Sequence, residues 1–394
     1  MGPPYGWAEG VASGLSNGLA ELGHSVEIVA TGSPVEADGH FGTVCVRRFA
    51  LDKWARRGPR LLRSAYVSTG LAAYLRRTAE QFDIVHIHTL YSFVTVTAAR
   101  SARRAIVPYV ISPDGSLDPY THFRKGRFRK EAFQALFHRN DLARAAAVHF
   151  LSVRERELAS GFRIDAPKAV VSLGIDNEAY GRGIKGAFRK RNPRLANSQV
   201  IMYLGRISYT KGLDLLVSAF AQIARGFPYA HLLLVGPDYE GYGEVLSEVI
   251  KRHGLSGRIT FSGLLSEEDK VAALADADVF VLPSYTEAFG IALLEAMATG
   301  LPVIVTDRAA LATVVQESDA GIVTESSVPS LSAALALLLG NTKLRRQLGV
   351  RAESLAKLQF SWTVAARKFA DLYETAATGR IQDRSLQGVK AGNG

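Results

Sequence analysis

Two cationic side chains flank a short predicted loop near the middle of the sequence. A predicted strand at residues 200–204 runs into Gly205-Arg206, and Lys211-Gly212 then opens a predicted helix. Gly205 lets the backbone turn closely between them. Cations beside a helix N-terminus bind anions, because the unpaired N–H groups and the helix dipole add to their charge. The pattern indicates an anion site that suits a diphosphate, although this spacing, read alone, also fits ordinary surface charge.

Two carboxylates follow further along the chain, eight residues apart. Glu287 and Glu295 enclose Phe289-Gly290, and a helix is predicted to begin near Gly290. Eight residues of helix rise about 12 Å, whereas the two carboxylates of glycosidases lie about 5–5.5 Å or about 6.5–9.5 Å apart. The spacing therefore argues against a hydrolytic carboxylate pair. A glutamate that is ion-paired on a helix face is the simplest structural alternative for Glu295.

The segment that carries both glutamates resembles the E-x7-E signature of retaining glycosyltransferases of family 4 (group 1), which have the two-domain GT-B fold. It reads Pro283-Ser-Tyr-Thr-Glu-Ala-Phe-Gly-Ile-Ala-Leu-Leu-Glu-Ala-Met-Ala-Thr-Gly-Leu-Pro302. The Gly-Arg and Lys-Gly pairs have the matching upstream position in that family. The resemblance extends from Gly10 to about Tyr373. Shorter segments align in order at residues 83–88, 112–117, 172–176, 235–237 and 300–303.

The resemblance implies a role for each of these residues. Arg206 and Lys211 would hold the diphosphate of a nucleotide-sugar and stabilise it as the leaving group. Fixed cations act where negative charge develops as the bond to the diphosphate breaks. Glu287 would bind hydroxyls of the transferred sugar, and Glu295 would bind the ribose hydroxyls. The resemblance also implies donor-binding backbone at Gly10, Gly205, Phe289, Gly290 and Ile291.

Two positions depart from the pattern of the family. Relatives often carry His-Gly where this chain has Asp114-Gly115, and that histidine is thought to contact the transferred sugar or the acceptor. Asp114 takes the catalytic position here, but a carboxylate cannot replace a neutral imidazole, so acceptor geometry or activity is expected to differ. The glycine pair of the first-domain diphosphate loop is Glu9-Gly10. Glu9 would repel phosphates unless it turns away or binds a hydroxyl of the acceptor.

Two other groups of polar residues have simpler structural explanations. His86 and His88, at a predicted strand end, are expected to be satisfied structural histidines. Asp276-Ala-Asp278 looks like the metal-binding D-x-D of the other large glycosyltransferase fold, but we expect Asp276 to end a helix and Asp278 to lead a strand. The sequence contains no His/Cys cluster or EF-hand spacing. No metal site is therefore predicted.

The elements that must position these residues alternate between apolar β-branched runs and helical stretches, as in parallel sheets covered by helices. This α/β pattern predicts two doubly wound, Rossmann-like domains facing a cleft, with ligands beyond the carboxyl ends of the strands. We expect an acceptor-binding domain at 1–180 and a nucleotide-sugar-binding domain at 181–360. The resemblance to family 4 further implies that a helix within 361–394 crosses back to the first domain, before a frayed tail.

The first predicted domain has an unusual start. A helix predicted at 11–22 precedes the strand at 26–30, whereas a Rossmann-like half normally opens with a central strand before that helix. The residues in front of it include Gly2-Pro3-Pro4-Tyr5-Gly6, which cannot make a central strand. We expect either that the chain is truncated relative to its functional form or that this domain has lost its first strand.

Composition excludes several classes of protein. With 394 residues, 47% of them hydrophobic, the chain can form two substantial cores. Cys45 is the only cysteine, which rules out an intramolecular disulfide and favours a reducing compartment. No apolar run approaches the roughly 20 residues of a membrane span, and no signal-peptide pattern opens the sequence. A cytoplasmic location is therefore expected.

The net charge of +10 is concentrated in basic clusters at residues 52–63, 124–144 and 182–194. The first two clusters also contain large apolar residues, a mixture that suits the anionic surface of a membrane. Solvated charge that keeps the protein soluble is the alternative. Nucleic acid is not expected as a partner, because no helix-turn-helix, RNA-binding or zinc-finger signature occurs. The charge adds a peripheral position on the inner face of a membrane to the expected location.

The resemblance to family 4 implies a retaining glycosyltransferase of the hexosyltransferase type. It would move a sugar from a nucleoside-diphosphate sugar to a carbohydrate or lipid-linked acceptor in bacterial polysaccharide biosynthesis, with no metal or other cofactor. Two alternatives stay open. One is a sugar-nucleotide epimerase on the same fold, which needs no acceptor. The other is a nucleotide-sugar-binding protein with impaired catalysis.

Overall fold

The computed structural model describes residues 7–32, 39–59, 65–119, 139–238 and 240–379. These residues divide into two compact units. Unit 1 contains the described residues up to Gly174 together with those from Trp362 onward, and unit 2 is Ile175–Ser361. The chain thus passes between the units after Gly174 and again after Ser361. Most of the basic cluster at 124–144, and the tail from residue 380, lie outside the described residues.

Unit 1 alternates helices and strands, and its strands form two separate sheets. The sheets have the orders β1-β3-β2, in which only β2 is antiparallel, and β4-β5-β6-β7, which is parallel. In the described part of unit 1 no ladder joins β1 to β4, and the first element is a helix. The elements are α1 (Trp7–Glu21), β1 (Glu27–Gly32), β2 (Gly39–Phe41), β3 (Val44–Ala50), α2 (Lys53–Arg57), α3 (Thr69–Thr78), β4 (Val85–His88), α4 (Phe93–Arg104), β5 (Tyr109–Ser112), α5 (Arg139–Ala143), β6 (Ala147–Phe150), α6 (Val153–Leu158), β7 (Lys168–Val170) and α16 (Trp362–Ala377).

The middle strands of the parallel sheet in unit 1 supply much of its core. Every residue of β5 and of β6 is buried, as expected for parallel strands that are covered on both faces. Helices α3 and α4 pack there through Leu71 and Ala99, which are fully buried. Because all four residues of each strand are buried, β5 and β6 are fixed in the core. The turns that follow these strands are therefore fixed in position too.

The last helix of unit 1, α16, packs against the first, α1. Gly14 and Gly18 are four residues apart and so share one face of α1. A Cβ at Gly14 would lie 2.1 Å from the Trp362 ring, and one at Gly18 would lie 2.9 Å from the Ala366 Cβ. The two glycines let the helices approach closely, which a larger residue at either position would prevent.

Unit 2 contains one six-stranded parallel sheet with the order β10-β9-β8-β11-β12-β13. Its elements are α7 (Asn177–Gly181), α8 (Ala187–Arg191), β8 (Gln199–Leu204), α9 (Leu213–Ile223), β9 (Ala230–Val235), α10 (Tyr242–Arg252), β10 (Ile259–Gly263), α11 (Glu267–Asp276), β11 (Val279–Leu282), α12 (Ile291–Ala298), β12 (Val303–Thr306), α13 (Ala312–Glu317), β13 (Gly321–Thr324), α14 (Val328–Gly340) and α15 (Thr342–Gln359).

The order of this sheet fixes where a ligand can bind. Counted from β8, the strands run 3-2-1-4-5-6, the doubly wound order whose direction reverses between the first and fourth strands. β8 and β11 are those two neighbours, paired through Val279 with Ile201 and Phe280 with Met202. Ligands of such sheets bind beyond the carboxyl ends of the strands at this reversal. Among the described helices, none is both long and apolar enough to span a membrane.

Candidate functional site

Two loops of unit 2 lie at the reversal point of its sheet. Residues 205–212 follow β8, and residues 283–290 follow β11. Both loops therefore start at the carboxyl ends of two adjacent strands. They are also the two segments in which the sequence places the anion site and the first glutamate.

The backbones of the two loops are in direct contact. The Tyr285 N–H donates to the Thr210 carbonyl oxygen at 2.9 Å. Gly212 has a left-handed φ of +62°, and a Cβ there would lie 2.1 Å from the Pro283 carbonyl oxygen. Only glycine fits this contact, because any side chain would meet backbone rather than a movable group. The close approach holds the neighbouring Lys211 beside the 283–290 loop.

Lys211 and Glu287 form a partly buried ion pair across these loops. The Lys211 Nζ lies 2.5 Å from the Glu287 Oε2, and the two side chains are only 16% and 13% exposed. The Ser284 hydroxyl donates to the same oxygen at 3.3 Å. The backbone of Glu287 is also fixed, because its carbonyl accepts the Ala310 N–H at 3.1 Å from the loop after β12. The structure thus brings together two residues that are 76 positions apart in sequence.

Arg206 lies on the same loop as Lys211 and is exposed. No described side chain forms an ion pair with its guanidinium. The carbonyl oxygen of Arg206 accepts the Tyr203 hydroxyl at 2.9 Å. Burial is the main cause that raises the pKa of Tyr203, and the nearby charge of Glu287 adds to it. Arg206 is therefore available to an anion, while Lys211 is already held in place by a carboxylate.

Glu295 lies on α12 and is held by two donors. Its Oε1 accepts the Tyr180 hydroxyl at 2.5 Å and the Lys270 ammonium at 2.9 Å, and the residue is 8% exposed. Lys270 also pairs with Glu267 at 2.8 Å. Burial opposes the charge of Lys270, but the two carboxylates outweigh it and raise its pKa. The carboxylate expected to bind ribose is therefore fixed in position.

Both glutamates share one arrangement. In each, one carboxylate oxygen accepts from a lysine and from a hydroxyl: Lys211 and Ser284 on Glu287, and Lys270 and Tyr180 on Glu295. None of the described residues donates to the other oxygen of either carboxylate. Each side chain is thus oriented while keeping an acceptor for a ligand hydroxyl. The glutamates pair with separate lysines and not with each other.

The backbone between the glutamates turns sharply into α12. Phe289 is 2% exposed and packs with its ring centroid 6.5 Å from that of Phe360. Gly290, with φ +95°, precedes the helix, and Ile291 is its first residue. The N–H groups of the first turn of a helix have no partner within the helix. The predicted donor-binding backbone therefore lies at a helix N-terminus, between the two glutamates.

Asp114 lies in unit 1, in the turn after β5, with a left-handed φ of +50°. Its Oδ2 accepts the Thr89 N–H at 2.9 Å and lies 3.4 Å from the His88 Nδ1. The side chain is only 2% exposed. The carboxylate therefore holds the turn after β4 to the turn after β5.

A second buried carboxylate supports the same turn. Glu155 is 2% exposed and accepts the Gly115 N–H at 2.6 Å and the Leu151 N–H at 2.7 Å. Burial raises the pKa of Glu155 to about 7, and the charges of Asp114 and Asp118 add to the effect. The Asp114-Gly115 turn is thus held through its backbone as well as through its side chain.

His86 belongs to a buried hydrogen-bonded chain, as the sequence predicts for a structural histidine. The His149 Nε2 donates to the Val171 carbonyl at 2.8 Å, so the His149 Nδ1 accepts from Ser112 at 2.6 Å. Ser112 in turn accepts from the His86 Nε2, and the His86 Nδ1 accepts the Tyr373 hydroxyl, both at 2.6 Å. Burial lowers the pKa of His149 to about 4 and also lowers that of His86. Both rings are therefore neutral, and this series of hydrogen bonds connects α16 to the parallel sheet of unit 1.

Gly10, the remaining predicted donor-binding residue, lies inside α1, and its carbonyl accepts the Ser13 hydroxyl at 3.1 Å. Of the predicted site residues, unit 2 contains Gly205, Arg206, Lys211, Glu287, Phe289, Gly290, Ile291 and Glu295. Gly10 and Asp114 belong to unit 1.

The carboxylates of Asp276 and Asp278 are engaged by Arg189 and by backbone. Asp276 ends α11, as expected, and accepts the N–H groups of Gly186 and Arg189. Asp278 directly precedes β11, also as expected, and its Oδ2 accepts from Arg189 at 3.0 Å and from the Val200 N–H at 2.8 Å. Arg189 is therefore a structural member of the basic cluster at 182–194. Within the described ranges no group of three or more His, Cys, Asp or Glu residues could hold a metal ion.

Sequence reasoning missed three side chains that complete the site. Lys270 and Tyr180 hold Glu295, and Ser284 holds Glu287. Lys270 has a local signal, since it is three residues from Glu267 on one helix, but its second partner is 25 positions away. Tyr180 is 115 positions from Glu295. No periodicity or motif could reveal that contact.

Two family models match this chain. The model described as "Glycosyl transferase 4-like domain" matches residues 8–174, within unit 1. The model described as "Glycosyl transferases group 1" matches residues 185–355, within unit 2. Together the two matches cover most of the chain.

Several curated relatives are glycosyltransferases by name. The D-inositol 3-phosphate glycosyltransferase of Corynebacterium efficiens is 27% identical over 78% of this chain and 75% of the relative. The enzyme of the same name from Nocardia farcinica is 32% identical over 52% of this chain and 47% of its own length. The phosphatidyl-myo-inositol mannosyltransferase of Mycobacterium leprae is 33% identical over 52% of this chain and 56% of its own length.

Solved structures share the fold over almost the whole chain. Sucrose-phosphate synthase from Thermosynechococcus elongatus has a TM-score of 0.71 at 21% identity, covering 92% of this chain and 91% of that one. HepE of Anabaena, solved in complex with UDP-glucose, has a TM-score of 0.69 at 20% identity, covering 89% and 99%. These matches confirm the expected α/β GT-B fold class, with parallel sheets in two domains. The protein is an enzyme that transfers a sugar, and the chain belongs to the glycosyltransferases of family 4 (group 1).

Proposed function

We propose that this glycosyltransferase takes its sugar from a nucleoside-diphosphate sugar and transfers it with retention to a carbohydrate or lipid-linked acceptor in bacterial polysaccharide biosynthesis. The observation that carries the proposal is the Lys211–Glu287 ion pair at the reversal point of the unit 2 sheet, with Arg206 on the same loop and Glu295 on the helix that follows Glu287. Two cations beside a helix N-terminus suit a diphosphate, and oriented carboxylates suit sugar hydroxyls. The UDP-glucose complex of HepE supports the donor class. The phosphatidyl-myo-inositol mannosyltransferase name of one relative supports a lipid-linked acceptor.

In this proposal unit 2 holds the donor and unit 1 the acceptor. The bond between the anomeric carbon and the diphosphate oxygen breaks, and the acceptor oxygen bonds that carbon on the same face. The acceptor proton passes to the departing phosphate oxygen. Arg206 and Lys211 stabilise the charge that grows on the diphosphate, and Glu287 orients the sugar. Asp114 contributes by positioning the turns after β4 and β5, because its own carboxylate is buried.

The same cations supply the positive charge that a divalent ion provides in other enzymes, so we propose that transfer needs no metal. We therefore expect turnover to be unchanged by a chelator.

Donor binding tests the proposal most directly. We expect UDP-, GDP- or ADP-sugars to raise the temperature of thermal unfolding, and one nucleotide class to do so most strongly, because a ligand that binds only the folded state stabilises it by mass action. Calorimetry of the whole chain with each class of sugar nucleotide, at equal concentrations, measures the shift. The best donor is then assayed for turnover with and without an acceptor extract.

Each outcome of this test discriminates among the functions that the sequence leaves open. Transfer that requires an acceptor supports the proposal. Conversion of the donor to an isomer without acceptor would identify an epimerase. Binding without any turnover would identify a nucleotide-sugar-binding protein with impaired catalysis. No stabilisation by any class would overturn the donor assignment.

We also propose that unit 1 associates with an anionic membrane surface through α2. Lys53, Arg56 and Arg57 lie on this helix, and Trp54 is 58% exposed beside them. Tyr66, 54% exposed, lies in the chain that follows. Exposed aromatic residues among cations suit the headgroup region of an anionic bilayer.

Vesicle sedimentation tests this surface. Trp54→Ala and the triple change Lys53→Gln, Arg56→Gln, Arg57→Gln are each expected to reduce binding to phosphatidylglycerol vesicles severalfold, and salt should weaken that binding before it weakens nucleotide binding. Tyr229→Ala, which removes a 69% exposed aromatic residue from unit 2, is the matched control and should bind normally. Equal binding of all variants, or equal binding to neutral phosphatidylcholine, would contradict the proposal.

A further inference from the structure

Tyr180 makes the longest-range contact of the unit 2 site. It lies on α7, just after the chain enters unit 2, and is 8% exposed. Asp176 caps the N-terminus of this helix, and its Oδ1 accepts the N–H groups of Glu178 and Ala179 at 3.1 and 3.0 Å. From this helix the Tyr180 hydroxyl donates a hydrogen bond to the Oε1 of Glu295 at 2.5 Å. A phenylalanine would fill the same space but would donate nothing.

We propose that Tyr180 is a positioning residue that makes the donor site select ribonucleotides over deoxyribonucleotides by fixing the Glu295 carboxylate. The inference rests on the proposed function, because it takes the donor to be a nucleotide whose ribose meets Glu295. It adds a residue that touches no substrate itself. Its effect passes entirely through the oxygen that it holds.

The count of hydrogen-bond acceptors supports this assignment. An ionised carboxylate has about four acceptor positions, two on each oxygen. Tyr180 and Lys270 use both positions on the Oε1 of Glu295. The two positions on Oε2 match the two vicinal hydroxyls of a ribose. A carboxylate that is held at one oxygen presents the other in a fixed direction, so both hydroxyls can bind without a loss of side-chain freedom.

The hydroxyl of Tyr180 is suited to this task. Burial, followed by the charge of Glu295, raises the pKa of Tyr180 far above its ordinary value. The group therefore keeps its proton throughout the working pH range and always donates. Lys270 reaches the carboxylate through a long side chain with several rotatable bonds, whereas the Tyr180 hydroxyl is carried by a ring in a residue that is 8% exposed.

A purely structural role is the competing explanation, in which the hydroxyl only attaches α7 to α12. Removing it would then lower stability and leave nucleotide selectivity unchanged. Tyr109 in unit 1 provides the matched control for the loss of a buried hydroxyl. It is 2% exposed, and its hydroxyl donates to the Asp141 carbonyl at 2.7 Å, so Tyr109→Phe also removes one buried hydroxyl.

The experiment compares ribonucleotide and deoxyribonucleotide binding to the full chain by titration calorimetry. UDP, GDP and ADP are each measured against their 2′-deoxy and 3′-deoxy forms with the wild type, Tyr180→Phe and Tyr109→Phe. We expect the wild type to prefer the ribonucleotide by about tenfold or more, since a hydroxyl bound to a charged group is lost in the deoxy form. In Tyr180→Phe that preference should fall at least threefold, mainly through weaker ribonucleotide binding, while Tyr109→Phe keeps the wild-type ratio.

The outcomes separate this inference from the function on which it rests. If the wild type binds none of the three nucleoside diphosphates, the proposed donor class fails. If it binds ribonucleotides and deoxyribonucleotides equally, Glu295 does not bind the ribose hydroxyls, and the inference fails with that role. If Tyr180→Phe keeps the wild-type ratio, the tyrosine is structural and the inference alone is overturned. Should Tyr180→Phe not fold, Tyr180→Met removes the same hydroxyl with a side chain that adapts to the space left by the ring, and an unchanged ratio there would likewise overturn the inference.

Discussion

Replacing Glu287 with glutamine is expected to lower kcat for sugar transfer by about 100- to 1000-fold, the usual cost of losing one oriented polar group at a reacting centre. Glutamine keeps the shape of the side chain but removes the charge that pairs with Lys211 at 2.5 Å. It also removes the carboxylate that we propose accepts hydrogen bonds from the sugar. Steady-state kinetics with the donor identified by calorimetry measures the effect, and circular dichroism checks that the variant is folded.

A matched ion pair on the surface of unit 2 provides the control. Lys357 and Glu353 are paired at 2.6 Å on α15, with side chains 54% and 38% exposed. Because exposed pairs contribute little, Glu353→Gln should keep the turnover of the wild type. Turnover by Glu287→Gln within about fivefold of the wild type would contradict the site assignment.

The partner of Glu287 should show the same dependence. Lys211→Met is expected to lose activity to a similar extent, because it removes one of the two cations proposed to bind the diphosphate. In the double variant with Glu287→Gln the losses should not multiply, since residues in direct contact act as a unit. Fully multiplicative losses would mean that the two residues act independently despite their contact.

Local patterns in the sequence predict much of unit 2. The run at residues 200–204 matches β8 within one residue, and the loop predicted after it carries Arg206 and Lys211 as expected. These features depend on neighbouring residues, since strand patterns and helix starts are set within a few positions. The same holds for Asp276 and Asp278 at the end of one element and the start of the next.

The partners of the functional side chains could not be predicted, because they come from distant parts of the chain. Glu295 meets Tyr180 through the packing of α7 on α12, which no local pattern specifies. The burial of Asp114 is a further case. The sequence identifies its turn, but only the tertiary structure shows that the carboxylate binds the Thr89 N–H and is 2% exposed. Such contacts depend on how elements pack, and packing is not encoded at any fixed spacing.

Gly212→Ala should destabilise unit 2 by about 3 kcal/mol and weaken donor binding, because two costs add at this position. A left-handed φ of +62° costs a residue with a side chain about 1–2 kcal/mol. In addition, the new Cβ would lie 2.1 Å from the Pro283 carbonyl oxygen, and the overpacking that follows costs about 1–3 kcal/mol. Relief of the clash must separate the 205–212 loop from the 283–290 loop, and Lys211 moves with its neighbour. Calorimetric unfolding and titration with the best nucleotide measure both effects.

Two other glycines of unit 2 separate these costs. Gly254 has a nearly identical φ of +68°, but a Cβ there would meet no atom within 4 Å, so Gly254→Ala carries the backbone cost alone, about 1–2 kcal/mol. Gly257 has open space around it and no left-handed φ, so Gly257→Ala should be close to neutral. If Gly212→Ala costs no more than Gly254→Ala, the loops do not meet at Pro283. If it costs more but leaves nucleotide affinity unchanged, the contact stabilises the fold without positioning Lys211. Only a larger loss of stability together with weaker binding agrees with a site that depends on the close approach of these two loops.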